Sequence, residues 1–376
     1  MTRMRLTALL QVMWNHSENK RKTIIMAENK RTEIAELGEF GLIDHLTKDL
    51  KPQNASTKYG VGDDCAVLDY SDPAKEVLVT TDMLMEGVHF DLTYVPLKHL
   101  GYKSAMVNIS DIYAMNGTPR QMTVSVALSK RFSVEDMEDF YAGVVLACQR
   151  HGVDLVGGDT TSSLTGLAIS ITCIGEAEKG KAVYRNGAGQ NDLICVSGNL
   201  GAAYMGLQLL EREKAVFNST PHSKDEPFAP DFAGKEYLLE RQLKPEARGD
   251  IIKALREAGI QPTAMMDISD GLSSELIHIC KQSNTGCSVY QERIPIDYQT
   301  AVMAEELNMD VYTCALNGGE DYELLFTVPL TDHDKIIQLK DVKLIGHMTR
   351  PELGRHLVTK SGQEVELKAQ GWTSNL

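Results

Sequence analysis

The chain has 376 residues, with 38 Lys plus Arg against 52 Asp plus Glu, so its formal charge is −14; 43% of residues are hydrophobic and 24% charged. That acidity argues against a nucleic-acid binder, whose affinity rests on basic residues neutralising phosphates, and the recurring apolar runs exclude a chain disordered as a whole. No run approaches the ~18 consecutive apolar residues of a membrane-spanning helix, and the length suits two domains or one large one at roughly 100–200 residues each.

In chain order, Arg3 and Arg5 precede LTALLQVMW, a partial match to a signal peptide, but the apolar run is short and no small-residue cleavage site follows. The simpler expectation is that Met26, opening MAENKRTEIAELGEFGLI, is a natural start, and that residues 1–29 are an N-terminal extension, disordered or misassigned. Residues 30–50 predict a helix with Ile34, Leu37, Leu42, Ile43, Leu46 and Leu50 inward. KYGVGDDCAVLDY predicts a Gly-punctuated turn entering a short strand, and EVLVTTD a strand that ends at Asp82. HLGYKSAMVNISDIYAMNG predicts a helix stopped by Gly117 and Pro119, followed by the strand QMTVSVALS. SVEDMEDFYAGVVLACQRHG predicts a helix capped by Ser133, acidic in its first turn and closed by Gly152. DLVGGDT and LAISITCIGEA follow as strands.

Near residue 180 the character changes to a polar, Gly-rich connection, GKAVYRNGAGQND. DLICVSGNLG predicts a strand entering the helix GAAYMGLQLLERE, and the Pro-, Ser- and charge-rich stretch around residues 215–235 predicts a surface insertion. A helix (GDIIKALREAG), a strand and turn (TAMMDISDG), a helix (LSSELIHICKQSN) and GCSVYQERIP follow; LNGGEDYELLFTVPL is a turn feeding a strand, and DVKLIGHMT closes the regular part. The mixture in each half predicts an α/β (α+β) chain of two domains, residues 30–182 and 183–376. LVGGDT and LNGGED echo each other too faintly to make a repeat. The seven cysteines are odd in number, form no CxxC and sit largely in apolar runs, as reduced core thiols of a cytoplasmic protein would.

Common catalytic loops are absent or defective. GEAEKGKA fits the phosphate-loop spacing, but Ala182 stands where a hydroxyl would hold magnesium, and HExxH and GxSxG are missing. In their place the chain carries aspartates beside Gly, Ser or Thr: Asp63 and Asp64, Asp82, Asp111, Asp159, Asp267 and Asp270. Such carboxylates cannot gather unpaired, because like charges repel and burial is costly. Divalent cations would resolve the repulsion, and hard oxygen ligands favour Mg²⁺. Each aspartate also has a plain alternative: Asp270 as a cap for the helix near Leu272, Asp111 as a solvated helix residue. Taken singly, His89 reads as a hydrogen-bonding histidine, Trp372 as a packing anchor and Arg185 as a loop cation.

Seven motifs occur in register: VGDDCAVL, TTDMLMEGVHF, NISDIYAMNGTP, VGGDTT, YRNGAGQND, MDISDGLSSEL and NGGEDYELLF. Together they resemble those of the thiamine-monophosphate kinases, within the aminoimidazole-ribonucleotide-synthetase-like ATP-binding superfamily. The resemblance runs from about Gly38 to the C-terminus. It implies an N-terminal mixed sheet whose helices and strands serve dimerisation and a C-terminal α/β sandwich. It also implies ATP as co-substrate, several Mg²⁺ ions, thiamine monophosphate as acceptor, and a cytoplasmic homodimer without nucleic-acid or membrane partners. By motif, the metal ligands would be Asp64, Thr80, Thr81, Asp82, Asp111, Asp159, Asp267 and Asp270, with Asp63 the less certain member of its pair. Tyr141, Gly158, Asp159, Arg185 and Ser269 would touch the nucleotide; His89, Glu320 and Trp372 would face the acceptor. The alternatives are a superfamily enzyme with another acceptor, or a nucleotide and metal sensor without turnover. A selenophosphate-synthetase-like member would want its reactive cysteine before the Asp pair, whereas Cys65 follows it.

Overall fold

The computed structural model describes residues 45–59, 67–219 and 230–370, together with Thr32 and Leu42. Most of the helix expected over 30–50, and all of residues 1–29, lie outside them. A short antiparallel pair, β1 (Thr57–Tyr59) and β2 (Val67–Leu68), precedes the first large sheet. That sheet is built by β3 (Lys75–Met85), α1 (Leu97–Ala114), β4 (Thr118–Leu128), α2 (Val134–His151), β5 (Asp154–Ser162) and β6 (Leu167–Glu178). Its strand order is β3-β6-β4-β5, with β4 and β5 parallel across α2 and the other pairs antiparallel.

Strand β3 does not end at Asp82. The alternation of buried and exposed residues continues through Met83, Leu84 and Met85, and the ladder with β6 runs on to Met85 opposite Ala168. Asp82 is therefore a mid-strand residue opposite Ile171, its rotation fixed by the pleat. One face of the sheet carries Leu78, Leu84, Val124, Ile169 and Ile171 into the core. The other leaves Val77, Val79 and Met83 of β3 46%, 65% and 61% exposed. Ser133 caps α2 in a reciprocal capping box with Asp136, and Gly152 closes it at φ 65°, as expected. Helix α1 is buried around most of its circumference, lying between the sheet and α2. At its crossing with α2, a Cβ on Gly101 would fall 1.9 Å from the Phe140 carbonyl oxygen, so only glycine permits that approach.

The second half contains β7 (Leu193–Ser197), α3 (Ala202–Ser219), α4 (Glu236–Leu243), α5 (Gly249–Glu257), β8 (Ala264–Asp267), α6 (Leu272–Ser283), β9 (Gly286–Tyr290), α7 (Tyr298–Glu306), α8 (Val311–Asn317), β10 (Leu324–Val328), β11 (Val342–Thr349), β12 (Arg355–Val358) and β13 (Glu364–Glu366). Its seven strands run in the order β13-β12-β9-β11-β7-β10-β8, antiparallel except for β12 beside β9. Successive residues of β7 serve opposite faces: Ile194 and Val196 pack with α6, Leu193 and Cys195 with α5. This is a sheet with helices on both sides.

Helices α4, α7 and α8 and strands β12 and β13 were not legible from the periodicity, being two or three turns, or three or four residues, long. Residues 220–229 of the expected surface insertion lie outside the described residues. Its end is anchored rather than loose: Phe232 is 4% exposed, and the Asp231 amide donates to Glu213 Oε2 at 3.1 Å. Phe232 joins Met205, Leu209, Leu238 and Leu243 in the same core as α1 and α2, so apolar packing is continuous across the change of character near residue 180. The Gly-Gly-acid echo is no repeat, since Gly157-Gly158 lies within β5 and Gly318-Gly319 in the turn after α8. Among the described residues no helix is long and apolar enough to cross a membrane.

Candidate active site

A cleft of about 910 Å³ opens between the edge strand β3, helix α1 and the loops after β8 and α8. Asp82, His89, Ser269, Asp270 and Glu320 line it, five residues from three separate sequence motifs. Lys103, Val107 and Tyr322 line it as well.

The carboxylates there share one electric field. Burial, and then the neighbouring Asp111, pushes Asp82 up to about 6. Asp111 is itself raised by burial, against the opposing pull of its bond from Thr80 Oγ1 (2.5 Å to Oδ2) and of Arg185. Asp267 ends β8 only 5% exposed; burial, then Asp111, pushes it up to about 7 although Ser110 Oγ donates to its Oδ2 at 2.5 Å. Burial raises Asp270, countered by His278 and Arg185. Glu275 is pushed up to about 8, mainly by burial; its Oε1 accepts from the Asp270 amide at 2.9 Å. Arg185, exposed on the connection between the halves, is the cation that acts on Asp111, Asp267 and Asp270 together. The plain alternatives fail for two of these residues: the cap of α6 is Gly271 without a side-chain bond, and Asp111 is engaged by Thr80.

Two turns lock together beneath the cleft. The Glu320 amide donates to the Ser269 carbonyl (2.7 Å), the Tyr322 amide to Ile268 (2.9 Å), and the Ile268 amide to Glu323 (2.8 Å). The approach is close enough that a Cβ on Gly319 would stand 2.4 Å from the Ser269 carbonyl oxygen. Glu320 and Tyr322 hold left-handed φ values of 68° and 51°, conformations that cost energy for side-chain-bearing residues and gather at functional sites. The three acids of this turn then separate by role. Asp321 accepts from the Gly201 and Ala203 amides at the start of α3 (2.7 and 3.2 Å). Glu323 binds Arg241 (2.9 Å) and Arg248 (2.5 Å) in the interior. Glu320 faces the cleft, held by Lys103 (2.7 Å) and by Gln242 Nε2 (2.8 Å).

Other expected residues are not drawn into the cleft. Thr81 and Asp159 are exposed on the outward face of the first sheet, Thr81 beside Thr172 and Asp159 in the row Met83–Ser170–Ser125–Asp159. Gly158 is exposed beside it. Tyr141 packs on α2 edge-on to Phe140, with ring centroids 5.4 Å apart. His89, by contrast, lines the cleft from an exposed position, its Nδ1 accepting from the Met85 amide at 3.0 Å. Asp63, Asp64 and Trp372 lie outside the described residues, although Gln370 lines the cleft. Sequence reasoning missed Lys103, Ser110, Gln242 and Glu275. For two of them a signal existed: Lys103 and Ser110 fall eight and one residues before Asp111, one side of a helix for the first and its neighbour for the second.

Among the described residues no three His, Cys, Asp or Glu side chains stand at the spacing of a closed metal site. The open half-site nevertheless suits a hard cation. Asp82 Oδ2 and Glu275 Oε2 are buried without a hydrogen-bond partner, and the donors are carboxylate and hydroxyl oxygens without thiol or imidazole.

A family model, AIR synthase related protein, N-terminal domain, matches residues 62–177. The thiamine-monophosphate kinase of Aquifex aeolicus is 35% identical over 90% of this chain and 98% of its own. The solved thiamine-monophosphate kinase of Stenotrophomonas maltophilia superposes with a TM-score of 0.71 at 30% identity, covering 86% of this chain and 96% of that one. The solved complex of AaThiL with AMPPCP and TMP gives 0.67 at 34% identity, over 94% and 100%. With identity of this level spread along nearly the whole chain and a shared fold behind it, the chain belongs to the thiamine-monophosphate kinase family.

Proposed function

We propose that the chain transfers the γ-phosphate of ATP to thiamine monophosphate, giving thiamine diphosphate and ADP by direct in-line displacement. The observation that carries this reading is the gathering of Asp82, Asp111, Asp267 and Asp270 in one field beside the cleft that Glu320 faces. The family, and a relative solved with AMPPCP and TMP, support it.

Together the two substrates carry about five to six negative charges, since the last proton of a phosphate ester leaves near pH ~6. Several Mg²⁺ ions, held by Asp64, Thr80, Thr81, Asp82, Asp111, Asp159, Asp267 and Asp270, would neutralise that charge and polarise the phosphoryl oxygens. The chain's own residues bind and align. Thr80 and Ser110 orient the carboxylates of Asp111 and Asp267 through their hydroxyls. Arg185 and Ser269, with Tyr141, Gly158 and Asp159, take the nucleotide. His89, Glu320 and Trp372 face the acceptor, whose cationic thiazolium and flat rings suit a carboxylate and an aromatic face. The acceptor oxygen is already ionised, so no general base is assigned, and positioning supplies most of the rate.

The same reading includes a homodimer formed through the outward face of the first sheet. Burying Val77, Val79 and Met83 would stabilise it, and Thr81 and Asp159 lie on that face, so dimer closure would bring them inside the protein. It further divides the chain at residues 182 and 183. It places the protein in the cytoplasm, supported by six buried free cysteines.

The test is to incubate the protein with ATP, Mg²⁺ and thiamine monophosphate and to follow thiamine diphosphate by chromatography, with Asp82→Asn as control. Product that requires magnesium and vanishes in the control is the expected result. Nucleotide binding without product would overturn the reading.

A further inference from the structure

Helix α1 reaches the cleft at two places. Ser110 and Asp111 touch the carboxylate group through Asp267 and Thr80. Two turns earlier, Lys103 rises from the same helix to Glu320, with Val107 lining the cleft between them. Lys103 is an unusual residue to find there: its side chain is 7% exposed, in a helix otherwise packed into the core. Its ammonium reaches Glu320 Oε1 at 2.7 Å and the Gln242 backbone carbonyl at 3.0 Å, while Gln242 Nε2 donates to the other Glu320 oxygen at 2.8 Å. Both oxygens of a carboxylate are thus fixed, on a residue whose backbone is already held at φ 68° and bonded to Ser269.

We propose that Lys103 is a positioning residue for acceptor recognition: it sets the Glu320 carboxylate at a fixed distance along α1 from the carboxylates that serve phosphoryl transfer. This rests on the kinase reading above. Seven to eight residues of helix span about 10–12 Å, and a buried helix is a stiff spacer. Such stiffness matters because in-line transfer tolerates little misalignment, a displacement of about 1 Å costing up to ~100-fold in rate. The paired ammonium also tempers the charge of Glu320, leaving a dipolar edge toward the cationic acceptor instead of a bare carboxylate.

The experiment is a double-mutant cycle of Lys103→Met and Glu320→Gln, reading KM and kcat for thiamine monophosphate and KM for ATP in the full-length protein. Lys103→Met is expected to raise KM for thiamine monophosphate about tenfold, leave KM for ATP within about twofold, and add nothing to Glu320→Gln. Independent, multiplying effects, or an equal rise in KM for ATP, would overturn the proposal. Should Lys103→Met fail to fold, Lys103→Arg keeps the charge and serves in its place. It is expected to show a smaller rise in the acceptor KM at unchanged melting temperature, and a wild-type KM there also overturns the proposal. A wild-type protein that forms no thiamine diphosphate refutes the kinase reading itself, which distinguishes the two failures.

Discussion

Gly319→Ala tests whether the two interlocked turns set the geometry of the cleft. The added Cβ would stand 2.4 Å from the Ser269 carbonyl oxygen and 3.5 Å from the Asp270 Cα. Ordinary contact begins near 3.4 Å, so one turn must retreat by about 1 Å, and both atoms it meets are backbone, which cannot swing aside. The displaced segment carries Ser269 and Asp270, and the same movement stretches the 2.7 Å bond from the Glu320 amide. Overpacking of this kind costs about 1–3 kcal/mol, a fall in melting temperature of about 2–6 °C. The loss in kcat/KM should be larger, about 100-fold, because an alignment error near 1 Å acts on the transfer itself. Differential scanning fluorimetry and magnesium-dependent formation of thiamine diphosphate are the assays. Gly180→Ala is the control: it takes φ 73° with nothing within 4 Å of its Cβ, so it should cost about 1–2 kcal/mol of stability and leave turnover near wild type. Equal losses of activity in the two variants, or a Gly319→Ala enzyme within about threefold of wild type, would refute the reasoning.

The raised value of Asp267, about 7 against an ordinary 3.8, makes the metal-free protein lose stability as pH rises from about 4 to about 7, its contribution being complete only below that window. Mg²⁺ competes with those protons, so it should raise the melting temperature more at about pH 8 than at about pH 6; equal shifts would contradict the shared carboxylate field. Asp267→Asn should reduce magnesium-dependent turnover at least ~1,000-fold while raising metal-free stability at high pH, because a buried like charge is removed; a destabilised, active variant would be the contrary result. If the proposed dimer forms through the outward face of β3, Val79→Glu together with Met83→Glu should convert it to a monomer in light scattering, and a wild-type monomer or an unchanged mass in the variant would contradict that interface.

The sequence by itself determined the kind of chemistry. Aspartates beside Gly, Ser or Thr and without basic neighbours raise the expectation of cations, an expectation that depends on the fold bringing those carboxylates together. Long periodic elements such as α1 and α2 were equally legible, Ser133 and Gly152 marking the ends of α2 by capping rules that need only a few adjacent residues. Tertiary structure decided which acids face the cleft. Glu320, Asp321 and Glu323 stand within four residues, yet one lines the site, one caps α3 and one neutralises two arginines, a division set by what packs around each. It also decided that Asp82 sits mid-strand on the inner face while Thr81 looks outward, since the strand's end depends on its partner β6. Short elements such as α4 and α8 needed their neighbours to exist at all. Lys103 became visible only when a helix brought it against Gln242 and Glu320, more than a hundred residues away in the chain: a buried charge declares its purpose through its partner, and that partner is fixed by the fold.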